Sequence, residues 1–276
     1  LIPTKDKSEI LENCIKSIIK FDPKIKFEII IIDNGSKEDK TKQYLNSLKT
    51  YNFIKIISEP GLFNYSYLNN KAALIAKGNV ILLLNNDTEF LYPGWGERLS
   101  SVALREGIGC VGAKLIYDDW TIQHAGVILG LGGVAGHSHK YFDANSKGYE
   151  NRLMFSQEIS ANTAACLTLT RKNWDILNGL DEINLRVNYN DVDLCLRAYE
   201  IGLRNIYLPD VVAFHHESKS RGKPVGHKLK EWRKEYKYMK RKWRKILNND
   251  PNYHQYLTLE EEDWSLSLRE TIFNPR

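Results

Sequence analysis

Two groups of polar residues, about a hundred positions apart, carry the chemistry that can be read from this chain. The first closes an apolar run, Leu82-Leu83-Leu84-Asn85-Asn86-Asp87. The second, Asn190-Asp191-Val192-Asp193, opens a helical pattern and leads on to His215-His216. A carboxylate at the C-terminal end of a buried strand, joined by a second carboxylate and a histidine, can hold a divalent cation and a diphosphate. It also leaves one acid free to act as a base. That combination points to transfer of a sugar from a nucleotide donor.

Each candidate has an ordinary reading beside the chemical one. Asp33 follows the apolar run Phe27–Ile32 and precedes Asn34-Gly35-Ser36, so it forms a strand-to-helix turn. As a ligand contact it would accept a hydrogen bond from the imide N–H of uracil or thymine. Asp87 is either a turn acid or a ligand for Mg²⁺ or Mn²⁺. Asp191 and Asp193 favour a helix dipole at its start, whatever else they do. His215-His216 ends a strand and is followed by Glu217-Ser218-Lys219-Ser220-Arg221-Gly222, where Arg221 and Lys219 could complement a diphosphate. His137-x-His139 lacks a nearby third ligand for zinc. The glycines of Gly130–Gly136 miss the dinucleotide spacing and have no helix after them.

The elements that must position these residues alternate in the first half. Residues 8–20, 38–49 and 65–77 read as helices, the first with Asp6 or Ser8 as cap. Phe27–Ile32, 53–57 and 79–84 read as strands. This rhythm implies a doubly wound, mostly parallel α/β sheet. Ligands then sit at the C-terminal strand ends, where Pro3-Thr4, Asp33 and Asp87 all fall. Further on, Gly126–Gly136 reads as a loop or hairpin, Ile159–Thr170 as a strand, Asp191–Ile201 as a helix, and Ile206–Phe214 as a strand interrupted at Pro209-Asp210. A basic helix from Lys228 to about Leu247 carries the apolar stripe Trp232, Tyr236, Met239, Trp243 and Ile246.

Length and composition agree with one large α/β domain or two small ones. The 276 residues are 42% hydrophobic and 26% charged, with a net charge of +5. The charge is concentrated: Lys219–Lys245 holds 13 Lys and Arg against two Glu, a density that suits an anionic partner. Cys14, Cys110, Cys166 and Cys195 are scattered and read as buried free thiols in a reducing compartment. No apolar run reaches the roughly 18 residues of a membrane span. The opening Leu1-Ile2-Pro3-Thr4 reads as the tail of a strand, so a few residues or a preceding domain are expected upstream.

In order and spacing the chain resembles the family 2 inverting glycosyltransferases of the GT-A fold, and more narrowly the bacterial members, rhamnosyltransferase-like ones among them, that build O-antigen and capsule. The resemblance runs to about residue 260. It is carried by Ile2-Pro3-Thr4, Ile31-Ile32-Asp33-Asn34-Gly35-Ser36, Phe63-Asn64-Tyr65-Ser66 with Asn69-Asn70, and Leu84-Asn85-Asn86-Asp87-Thr88. It continues in Ile122-Gln123-His124-Ala125-Gly126, Asn190–Arg197 and His215–Gly222.

What the resemblance implies can be stated residue by residue. Pro3, Thr4, Asp33, Asn64, Asn86 and Arg221 would hold a UDP or dTDP donor. Asp87 and His215 would hold Mn²⁺ or Mg²⁺. Asp191 would be the base. His124, Thr163, Ala164 and Asn190 would border the sugar or acceptor, a glycan or lipid-linked saccharide. A transferase domain would span 1–225, as a nucleotide-sugar half (1–90) and an acceptor half (91–225), with a basic helical extension over 226–276 packed on it. A cytoplasmic protein is implied, with peripheral contact to the inner membrane face through that extension and no specific nucleic acid. Two departures stand out: Asn85 replaces the first acid of Asp-x-Asp, and Asn190 the first of Glu-Asp. Asn178-Gly179-Leu180-Asp181-Glu182 also departs from Gly-Gly-Phe-Asp-Glu.

The competing readings are a nucleotidyltransferase, whose glycine-rich basic signature is missing around Pro3-Thr4-Lys5-Asp6, and a degenerate glycan-, membrane- or nucleic-acid-binding domain.

Overall fold

The computed structural model describes residues 1–216 and 226–267. The expected doubly wound α/β architecture is present. Strands β1 (Ile2–Thr4), β2 (Ile29–Asp33) and β3 (Ile54–Ser58) run parallel, linked by helices α1 (Ser8–Lys20) and α2 (Asp39–Leu48). Helix α3 (Tyr65–Ile75) leads to β4 (Val80–Leu84). Two hydrogen bonds, Leu1 N to Leu82 O (2.7 Å) and Leu84 N to Leu1 O (3.0 Å), stitch β4 onto β1.

The unbroken isoleucine run of β2 has the physical reason expected of a strand covered on both faces. Ile29 and Ile31 pack with Leu11, Cys14 and Ile15 of α1, whereas Ile30 and Ile32 pack with Leu68 and Ala72 of α3.

The second half follows as β5 (Thr88–Phe90), α4 (Trp95–Ala103), β6 (Ile108–Ile116), β7 (Ile122–His124), β8 (Val127–Leu129), β9 (Ala135–His137), β10 (Gln157–Ile159), β11 (Cys166–Thr170), α5 (Arg171–Ile176), α6 (Asn190–Glu200) and β12 (Arg204–His215). The sheet continues in the order β4-β11-β6-β12-β10. β11 lies antiparallel to both neighbours, and β6 runs parallel to β12. β5 pairs with the end of β12 and sets His215 opposite Thr88. Helices α7 (His227–Lys242) and α8 (Arg244–Leu247) close the fold. No helix among the described residues is long and apolar enough to cross a membrane.

Some local expectations are corrected and others hold. The stretch 159–170 is two strands, not one, because the chain leaves β10, outside β12, and crosses to β11, between β4 and β6. Residues 160–165 make that crossing. Asn162 nests over Gly112, where any Cβ would collide with its side chain at 2.0 Å, and its amide donates to Ile206 O (3.0 Å). Neither Asp6 nor Ser8 caps α1; Asp6 instead accepts from Lys37 N (2.6 Å) and Glu38 N (3.0 Å). The glycine-rich stretch is the β8–β9 hairpin. The basic helix breaks at Trp243 between α7 and α8. Pro209-Asp210 falls at a register shift in β12. All four cysteines are buried and free.

Candidate active site

Four strand ends and one helix start build the site. β1 ends at buried Thr4, whose Oγ1 accepts from Asn86 Nδ2 (3.1 Å); Pro3, also buried, sits opposite Ile32. β2 ends at half-buried Asp33, whose Oδ1 accepts from Ser36 N (2.9 Å) and Ser36 Oγ (2.5 Å). The same hydroxyl accepts from Asp6 N (2.8 Å), so the loops after β1 and β2 are tied into one rim. The turn Asn85-Asn86-Asp87 follows β4, with Asn85 N donating to Ala165 O (3.1 Å).

Asp87 and His215 meet because β5 turns back antiparallel to β12. Asp87 Oδ1 lies 3.3 Å from His215 Nε2, and both residues are buried. Asn85 Nδ2 lies 3.1 Å from the same His215 nitrogen, so Asn85, Asp87 and His215 form one cluster. Among the described residues no group of three or more His, Cys, Asp and Glu is gathered as a metal cage. A buried carboxylate and imidazole fit Mg²⁺ or Mn²⁺ only as a partial set, with phosphate oxygens supplying the remainder. His216 points elsewhere, to Glu89 (2.8 Å) and Asp118.

The helix start separates its two acids. Asp191 is half-buried, accepts from Ala164 N (2.9 Å) and Val192 N (2.8 Å), and is also bonded to the Thr163 side chain. Burial raises its carboxyl above the ordinary range, and these hydrogen bonds oppose the rise. Asp193, fully buried, is spent on structure. It accepts from Arg197 Nε (2.8 Å), Lys242 Nζ (2.6 Å) and Trp243 Nε1 (2.8 Å). Asp191 thus has only hydrogen-bond partners, whereas Asp193 has two cations.

Of the remaining candidates, Thr163 and Ala164 lie against Asp191. Asn190 is buried, with its amide on Val187 O (3.2 Å). Asn64 caps α3 by accepting from Tyr67 N (3.0 Å) and donates to Glu182 O (2.9 Å), so its amide is engaged at both ends. His124 is buried, with Nδ1 2.8 Å from His137 Nδ1, and burial pushes its pKa well below the usual imidazole value. His139 turns the other way, to Ser138 and Tyr149, so the His-x-His pair is divided. Arg221 and Lys219 lie outside the described residues.

Sequence reasoning missed three contributors. Asn85 supports His215, the Ser36–Asp6 bond closes the rim, and Glu235 of α7 holds the loop before Asp191. Asn85 stood in plain view as a departure from the motif. The other two depend on tertiary contacts that no local pattern announces.

Residues 1–172 match the model of "Glycosyl transferase family 2", and the chain belongs to that family. It is 40% identical over 269 residues to the uncharacterized protein y4gI of Sinorhizobium fredii, covering 97% of this chain and 30% of that one. It is 33% identical over 270 residues to the O-antigen biosynthesis protein RfbC of Myxococcus xanthus, covering 96% and 20%. The chain therefore spans less than a third of either relative. A crystal structure of GalNAc-T7 with UDP, GalNAc and Mn²⁺ superposes with a TM-score of 0.70 at 15% identity, over 95% of this chain and 52% of that one. The mannosyltransferase PcManGT from Pyrobaculum calidifontis, in complex with GDP-Man and Mn²⁺, gives 0.59 at 16% identity, over 80% and 56%. The fold is GT-A, and the chain carries a family 2 glycosyltransferase domain.

Proposed function

We propose that the chain moves a sugar from a UDP- or dTDP-linked donor to a hydroxyl of a glycan or lipid-linked saccharide, with inversion, in surface-polysaccharide assembly. One observation carries the mechanism: of the two acids in the first turn of α6, Asp193 is neutralised by Lys242 and Arg197, while Asp191 is half-buried with only hydrogen-bond donors around it. Asp191 takes the proton from the acceptor hydroxyl. That oxygen forms a bond to the anomeric carbon, and the bond to the diphosphate breaks with its electron pair leaving on phosphate. A desolvated carboxylate is the stronger base, in keeping with the raised Asp191 value.

Asp33 and the Thr4–Asn86 pair border the place for the nucleoside, with Asp33 accepting from a pyrimidine imide. Asp87 and His215 would hold Mn²⁺ or Mg²⁺, which when bound offsets the charge on the leaving diphosphate. The nucleotide-sugar and Mn²⁺ complexes of the structural neighbours support this reading. The relation to RfbC supports the polysaccharide setting. Peripheral contact with an anionic membrane is supported by α7 and α8, where Lys230, Arg233, Lys234, Lys237, Lys240 and Arg244 are all exposed.

The test is a thermal-shift panel of UDP, dTDP, GDP, ADP and their sugar conjugates, each with and without Mn²⁺. A ligand bound only by the folded state raises Tm by mass action. A Mn²⁺-dependent rise with UDP or dTDP, and none with ADP, is the expected result. A preference for GDP would remove the pyrimidine assignment of Asp33. No rise with any nucleotide would remove the donor site.

A further inference from the structure

Helix α7 does more than cover a surface. Its inward side places Met239 and Trp243 in the same core as Leu194 and Leu196 of α6, the helix that begins with the proposed base. Glu235, one turn earlier on that side, is only 3% exposed. Its Oε1 accepts from Val187 N (3.0 Å), and its Oε2 accepts from Asn188 N (3.1 Å) and Asn188 Nδ2 (2.5 Å). A buried carboxylate thus collects three donors from a segment 48 residues upstream.

That segment needs such a partner. Residues 187 and 188 belong to no helix or strand, so their N–H groups have no ladder to join. The next residue, Tyr189, has φ of 60°, a left-handed turn that swings the chain into α6. Asp191 follows two residues later. Downstream, Asp193 is fixed from the same helix by Lys242 and from the following break by Trp243. The base therefore lies between two clamps, both supplied by the C-terminal helical segment.

We propose that Glu235 is a positioning residue for Asp191, setting the loop entry that aims the carboxylate beside Ala164. The proposal rests on the reading of Asp191 as the base. Of the contacts α7 makes, the Glu235 brace is the one that serves the base. Loss of Glu235 misplaces the base without touching the donor rim at Thr4, Asp33 and Asp87.

The experiment compares Glu235→Ala, Glu235→Gln, Tyr238→Phe and Asp191→Asn in the intact chain. Turnover is read as nucleoside diphosphate released from the nucleotide sugar that gives the largest thermal shift, with water as acceptor. Misplacement of a reacting group by about 1 Å costs on the order of 100-fold, so kcat of Glu235→Ala falls by about that factor. Glu235→Gln keeps one acceptor oxygen and loses less, about tenfold. In both, the donor KM and the nucleotide-induced Tm rise stay as in wild type. Tyr238→Phe removes another α7 anchor, the bond to Asp181 (3.0 Å), and keeps full turnover.

Equal losses in Glu235→Ala and Tyr238→Phe, or a donor KM that rises with the loss of kcat, would reduce Glu235 to general stabilisation and overturn the proposal. Should Glu235→Ala fail to fold, unchanged kcat in Glu235→Gln overturns it as well. Inactive Asp191→Asn beside fully active Glu235 variants sinks the brace alone. Active Asp191→Asn sinks the base reading on which it stands.

Discussion

The proposed donor rim and the helix of the proposed base are positioned by different means. Thr4, Asp33 and Asp87 stand at or just beyond the ends of strands, and the backbone ladder of β1, β2 and β4 sets their spacing before any side chain acts. Asp191 stands at a helix start reached through an irregular loop. Its place depends on side chains from residues far along the chain, namely Glu235, Lys242 and Trp243. A ladder tolerates substitution at any one position, because many bonds share the load. A loop held by two buried carboxylates does not, since a buried charge left without its partner is costly. The base region should therefore be the more fragile half.

The comparison is sharpest at the two acids of α6. Asp191→Asn lowers turnover by about 10²–10⁴-fold, the contribution of a placed general base, and leaves the nucleotide-induced Tm rise intact. A lost Tm rise in that variant would move Asp191 from base to donor ligand. Asp193→Ala leaves Lys242 and Arg197 facing a buried void and costs about 3–5 kcal/mol of stability, a fall of roughly 10 °C for a domain of this size. Differential scanning calorimetry decides it. A Tm close to wild type would mean that the cluster relaxes into solvent and that the clamp is weak.

Legibility in the sequence divides along the same line. Asp33 and Asp87 could be found because an apolar run ending in a polar turn marks a strand end, and strand ends in such sheets converge. The β-α-β rhythm gives the order of elements for the same reason. What could not be read is everything that depends on partners far apart. Asp193 looks like a second candidate acid until Lys242 and Trp243 are placed against it. Ile159–Thr170 looks like one strand because Asn162-Thr163-Ala164 has no Gly or Pro to mark the crossover, which is imposed by where β10 must lie. The break at Trp243 is likewise invisible to the helical period, since its ring is aimed by Asp193.

The donor rim offers a milder perturbation. Asn85 stands where a second acid would raise the charge of the turn, and its amide now bonds His215. Asn85→Asp places another carboxylate beside Asp87 and His215. It should lower the Mn²⁺ concentration needed for half of the UDP-induced Tm rise on the order of tenfold, because ligand charge tunes affinity for hard cations. A titration of Mn²⁺ at fixed UDP reads this directly. Unchanged or weaker Mn²⁺ dependence would mean that residue 85 serves His215 and stays outside the cation's reach.

The smallest effect sets catalysis against stability within one residue. Burial lifts the Asp191 carboxyl above its ordinary value, and its hydrogen-bond donors only partly restrain it. The folded chain therefore keeps that proton to higher pH than the unfolded chain, whose value is about 3.9. Between those two values the folded state binds more protons, so the group's contribution to stability falls as pH rises through the window. Above it, the protein carries a desolvated carboxylate that the proposed base role requires and folding does not. Asp191→Asn should then melt a few degrees above wild type near neutral pH, and the gap should close below pH of about 4, where both side chains are neutral. The acid limb of kcat/KM in wild type should fall inside the same window, because only the ionised form accepts a proton. A variant that melts below wild type at neutral pH would reverse the sign. It would mean that the N–H groups of Ala164 and Val192 stabilise the carboxylate more than burial penalises it, and that the base is activated by its position alone.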